Sequence, residues 1–160
     1  SSLLDERNVQ ITQRKYIYDR FNVLNRNLGD MFIEAIESYS KCKNGVLHVD
    51  QCAIHLRDVI QQVWGGLVNL AVTNNTIIEN HPKRFELKKG SDREKVAEIL
   101  ATIVFSKTRL ITLLSEMYEL HSKLSDSKFG KNPLNRNFPL LNTYFTQWLS
   151  IMDSISAIVL

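Results

Sequence analysis

Between Asp50 and Val72 the apolar residues Cys52, Leu56, Val59, Val63, Leu67 and Leu70 return every three or four positions. That spacing lines one face of an α-helix. Such a face has to be covered, and the rest of the chain supplies matching covers. Ile17, Phe21, Leu24, Leu28, Phe32, Ala35 and Tyr39 form a second stripe. Val96, Leu100, Ile103, Ile111, Leu114, Met117 and Leu124 form a third. Leu141, Tyr144, Phe145, Trp148, Leu149, Met152, Ile155 and Ile158 form the fourth. Val46-Leu47-His48-Val49 is too short and isolated to read as a strand. The pattern predicts an all-α fold, an up-down four-helix bundle with one or two helix breaks and two longer polar loops.

Local signals divide the stripes. Gly29-Asp30 is expected to kink or break the first helix, and Lys43-Asn44-Gly45 reads as a turn. Asp50 stands where an N-cap should be. Thr73-Asn74-Asn75-Thr76 closes the central helix, and residues 73–90 read as a long connection. Ser91-Asp92-Arg93-Glu94 has the form of a capping box, serine forward and glutamate back. The third stripe loses phase near Ser106-Lys107-Thr108, so a second break is expected there. Residues 125–138 read as a polar loop, after which Pro139 suits a first helical position.

With 160 residues, the chain is long enough for one domain, residues 1–160, with a core that needs no staples. A hydrophobic content of 44% against 23% charged residues places it among globular proteins and away from disordered ones. The net charge of +3 permits an anionic partner without arguing for one. Cys42 and Cys52 are too few for a disulfide framework or a tetrahedral metal site. His48, His55, His81 and His121 are scattered, so neither metal nor cofactor is expected. These features, with no apolar leader in residues 1–20 and no membrane-length apolar run, predict a reduced, cytoplasmic setting. The abrupt apolar end and the missing initiator methionine suggest a processed chain or a domain excised from a longer protein.

Four groups of residues are candidates for more than packing. His55 and Asp58 are three apart, hence neighbours on one helix face, and such a pair can orient an imidazole for acid–base work. A polar contact on a solvated helix start is the plainer expectation. Arg57 and Trp64, with Gly65 and Gly66, form a packing or binding junction. The arginine stacks on Trp64, pairs with a carboxylate from another helix or meets an anion. Two helical glycines together cost on the order of 2 kcal/mol against alanine, tolerable where a neighbouring helix or a ligand comes close. Lys83, Arg84, Lys88, Lys89 and Arg93, with Lys95, form a basic set able to contact an anion or RNA; Lys123, Lys128, Lys131 and Arg136 form another. Acidic neighbours dilute both, so solvated loops are the plainer reading. The last helix is apolar on more than one face, so Tyr144, Phe145, Trp148, Met152 and Ile155 lie either centrally in the bundle or in a homodimer interface.

The order of elements, with Ala53, Leu56, Arg57, Asp58, Val59 and Ile60 in an A-x-x-L-R-[DE]-apolar-apolar pattern, resembles HEPN-like helical domains of bacterial conflict and defence systems. The resemblance spans about residues 20–124. It implies a bacterial helical scaffold, and in active members an R-x(4–6)-H motif acting on RNA at a dimer cleft. That motif is absent here: Arg109 and His121 are too far apart, and Arg26 and Arg136 have no histidine at the required distance downstream. The expectation is therefore a non-catalytic domain that binds a protein partner or itself, with no catalytic residues and no membrane contact. RNA binding or cleavage, through the basic loops and His121 or His55, is the first alternative. A small-molecule site between helices near Gly65-Gly66 is the second.

Overall fold

The structure, a computed structural model, describes residues 3–73, 85–104, 106–126 and 138–158. Among them the chain is all-α, with no strand: α1 (Leu3–Gln13), α2 (Lys15–Leu24), α3 (Leu28–Lys43), α4 (Val49–Thr73), α5 (Gly90–Leu100), α6 (Lys107–Asp126) and α7 (Phe138–Ile158). All four apolar stripes are helical except at Ile103, which lies in the break within the third and is exposed. The number of helices exceeds the expected four because the first and third stripes are each divided and an N-terminal helix precedes them.

The first division falls at Asn25–Asn27 rather than at Gly29-Asp30. Asn27 adopts a left-handed φ of 69°, which asparagine tolerates better than most residues. Gly29 lies inside the first turn of α3 for a different reason. A Cβ there would stand 2.6 Å from the Tyr18 carbonyl oxygen and 2.7 Å from Asn22 Nδ2. Its amide instead donates to Asn22 Oδ1 at 2.9 Å. The glycine marks where α2 and α3 come together, not where a helix ends. The other division, at Ala101–Ser106, lies close to the place where the third stripe loses phase.

No stripe announces α1, and none of its described side chains is buried. Its hold on α3 includes charge: Arg7 lies 3.4, 3.6 and 3.9 Å from carboxylate oxygens of Asp30, Glu34 and Glu37.

At the centre is α4, which packs against α2, α3, α5, α6 and α7. Leu56, Ile60, Val63 and Leu67 are wholly buried on it, each such side chain contributing about 1.5–3 kcal/mol through water exclusion. From α7, Trp148 enters the same core. Its indole stacks on Phe32 with centroids 5.2 Å apart, and its Nε1–H donates to the Leu56 carbonyl at 3.0 Å. That bond gives a buried polar hydrogen its partner. Phe145, Trp148, Met152 and Ile155 all lie within the chain's own core, with Tyr144 half-buried. Of the two expected places for these side chains, their burial fits the central one: α7 is apolar on several faces because α2, α4 and α6 all pack on it.

Helix starts also differ from expectation. Asp50 is in the first turn of α4, where its charge suits the helix dipole. The reciprocal contact comes from Gln51, whose Oε1 accepts the His48 amide at 3.2 Å. For α5 the N-cap is Lys89, without a side-chain cap, so Ser91 and Glu94 do not form a capping box. No described helix is long and apolar enough to cross a membrane.

Cys42 and Cys52 are free and buried. Burial pushes the Cys52 thiol up to about 12, and nearby Cys42 adds to the rise. The Ser38 hydroxyl opposes the rise by more than Cys42 adds to it, although that hydroxyl has no partner at hydrogen-bonding geometry. Burial likewise raises Cys42, helped by Asp50.

Two outcomes follow from this packing. At Gly66 an added Cβ would meet Leu24 Cγ at 2.7 Å, whereas at Gly65 it meets nothing within 4 Å. In urea unfolding, Gly66→Ala should cost about 1–3 kcal/mol through overpacking. Gly65→Ala should be neutral or stabilising by up to about 1 kcal/mol, because it only removes backbone freedom. The raised Cys52 thiol favours the folded state fully below the ordinary thiol value of 9.0, and that advantage is lost as pH climbs from there toward about 12. Urea midpoints should therefore fall above pH ~9 more steeply in the native sequence than in Cys52→Ala, and equal slopes would refute the assignment.

Candidate binding cleft

Residues 85–89 lead into α5 across the face of α4, and three polar contacts fix their path. Trp64 Nε1–H donates to the Phe85 carbonyl at 3.2 Å. The Glu86 amide donates to Asp92 Oδ2 at 2.7 Å, which explains why a carboxylate sits buried at the start of α5. Arg93 donates to the Leu87 carbonyl at 2.5 Å and lays its guanidinium over the Tyr118 ring of α6, 4.9 Å from the centroid. Asp92 and Arg93 thereby replace the missing cap by holding the incoming chain.

Between this segment, α4 and α6 lies a half-open cleft of about 570 Å³, lined by Gln61, Trp64, Phe85, Lys88, Tyr118 and His121 among others. The Gln61 side-chain nitrogen stands 2.7 Å from His121 Nε2. With the amide in this orientation its N–H donates, and the imidazole carries its proton on Nδ1. His121 Nδ1 faces Ser125 Oγ at 3.5 Å, while that hydroxyl donates to the His121 carbonyl at 2.7 Å. At the rim, Lys89 and Glu86 pair at 3.0 Å. This hydrogen bond holds the Glu86 carboxyl below its usual range, with Lys88 adding to the effect, and raises Lys89 in return.

The structure brings together only some of the residues singled out from sequence. Trp64 and Lys88 line the cleft, with Lys89 and Arg93 beside it. Among the described residues Arg57 neither stacks on Trp64 nor pairs with a carboxylate of another helix; it lies 3.5 Å from Asp58 on its own helix. Asp58 thus turns to Arg57, and His55 stays exposed. Gly66 packs on Leu24 of α2, well apart in role from Trp64. Lys123 lies over the Tyr144 ring at 5.8 Å. Lys83 and Arg84, like His81, Lys128, Lys131 and Arg136, lie outside the described residues. Arg109 and His121 stand twelve positions apart on α6, roughly 18 Å along its axis at 1.5 Å per residue. Tyr118 was not foreseen, and nothing local in the sequence joins it to Gln61 or Phe85. Among the described residues no group of His, Cys, Asp and Glu is arranged to hold a metal ion.

Comparison with protein-family models, with curated proteins and with solved structures finds no match. The described residues form an all-α helical fold.

Replacing Trp64 by Phe keeps an apolar ring but leaves the Phe85 carbonyl without its indole donor. The change should cost about 1–2 kcal/mol. Hydrogen exchange at the Glu86 and Lys89 amides should accelerate more than at Leu56 or Ile60. Uniform acceleration across the chain would show that the bond does not localise the segment.

Proposed function

We propose that this chain is a non-catalytic helical binding domain whose site is the cleft between α4, residues 85–89 and α6. The observation that carries this reading is convergence. Trp64, Lys88 and the Gln61–His121 pair come from separate parts of the chain to one cleft, whose size falls within the roughly 300–1,000 Å³ of small-ligand sites. His121 meets the Gln61 amide at one ring nitrogen, and the neighbouring Ser125 gives its proton to a backbone carbonyl. Buried free thiols agree with a reduced, cytoplasmic setting, and the HEPN-like resemblance is retained as a proposal about a bacterial scaffold alone.

RNA binding stands second, favoured by the excess of cations over carboxylates between Glu86 and Arg93. Self-association through α7 loses its support, because the residues that suggested it are buried in the chain itself.

A ligand-observed NMR fragment screen, followed by mapping on isotope-labelled protein, tests the reading. The expected hits compete with one another and shift the Trp64 indole, Lys88 and Gln61 resonances. Hits confined to other surfaces, or none at millimolar concentration, would contradict it.

A further inference from the structure

We infer that α1 is a salt-gated strap, docked on α3 through one arginine at low ionic strength and released as a unit, with α2 to α7 still folded, as salt rises. The inference is independent of the cleft. It begins with what holds the helix down. Among the described side chains of α1 none is buried, and Ile11, half-buried, is the one that packs against the core. Arg7 carries the rest of the contact. It lies 3.4, 3.6 and 3.9 Å from Asp30, Glu34 and Glu37, which share one face of α3 at helical spacing. Tyr18 of α2 donates to the same Asp30 oxygen at 3.1 Å. The three carboxylate side chains are 32–53% exposed, so dissolved ions reach them. Screening shortens from about 30 Å at 0.01 M salt to about 3 Å at 1 M.

The docked state also carries costs that release removes. Glu37 Oε1 is buried without a hydrogen-bond partner, and water can solvate it once α1 moves away. Between Glu6 and Gln10 of α1 and Ile36, Glu37, Ser40 and Lys41 of α3 lies a crevice of about 160 Å³, so the two helices are incompletely packed. A hinge is already present. Arg14, at φ −121° and ψ 29°, separates α1 from α2, and rotation there leaves α2 in place. The 11 residues of α1, with β-branched Val9, Ile11 and Thr12 among them, are too few to hold a helix undocked. Release therefore melts α1. It also opens Ile36, now 6% exposed, and the carboxylate face around it. Ionic strength thus decides which surface α3 presents.

Hydrogen exchange and far-UV circular dichroism of the intact chain at 0.01 M and 1 M sodium chloride test this. With intrinsic rates corrected, the amides from Arg7 to Gln13 should exchange about fivefold faster at high salt, or more. Helicity should fall by the share that α1 holds, while Leu56 and Ile60 keep their protection. Arg7→Ala should show the fast α1 exchange already at 0.01 M and lose its salt response, and Arg7→Lys should recover part of it. Exchange in α1 that ignores salt, or an Arg7→Ala chain with the response intact, would overturn the gate. Acceleration shared by Leu56 and Ile60, or an Arg7→Ala chain that fails to fold, would overturn the release of α1 as a separate unit.

Discussion

The burial of α4 on nearly every side is the constraint from which the rest of the architecture follows. A helix whose Leu56, Ile60, Val63 and Leu67 are wholly excluded from water needs neighbours around most of its circumference, and α2, α3, α5, α6 and α7 provide them. The bond from Trp148 to the Leu56 carbonyl makes this packing specific. An indole N–H buried without a partner is costly, so α7 is favoured at the depth and rotation that put the Trp148 nitrogen 3.0 Å from that oxygen. The aromatic contacts of Trp148 with Phe32 and Phe145 then tie α3 and α7 to the same point.

The cleft grows out of the same helix. Trp64 belongs to the buried side of α4, yet its nitrogen reaches the chain that enters α5. Asp92 and Arg93 hold that chain from the other side. A segment fixed by backbone-directed contacts cannot fill the space that a packed helix would fill, and the space left beside Gln61 and His121 is the cleft. Core packing and site formation thus share one residue, with the ring in the core and the N–H at the site.

Helices that bury apolar surface were legible in the sequence, because a period near 3.6 survives wherever water exclusion drives docking. Where docking is electrostatic the signal vanishes: α1, anchored through Arg7, shows no stripe. Glycine misled in the first stripe, since Gly29 serves a close approach while Asn27 makes the turn. The residues Ser91 and Glu94 imitated a capping box, but the backbone enters α5 two positions too early for Ser91 to act. Within the site, Trp64 and Lys88 stood out as unusual residues, whereas Gln61, Phe85 and Tyr118 are ordinary ones. Only the tertiary fold sets them side by side. The apolar excess of α7 was compatible with a subunit interface or a central position, and its packing against α2, α3, α4 and α6 explains the second.

Native-state hydrogen exchange over α4 tests the central claim most directly, since it compares the stability of that helix with that of everything packed on it. The account predicts that the amides from Val59 to Leu67 exchange only through global unfolding, at the same free energy as those around Trp148 and Met152, with α1 and residues 85–89 opening at lower energy. Exchange of α4 through an opening that leaves α3 and α7 protected would contradict it.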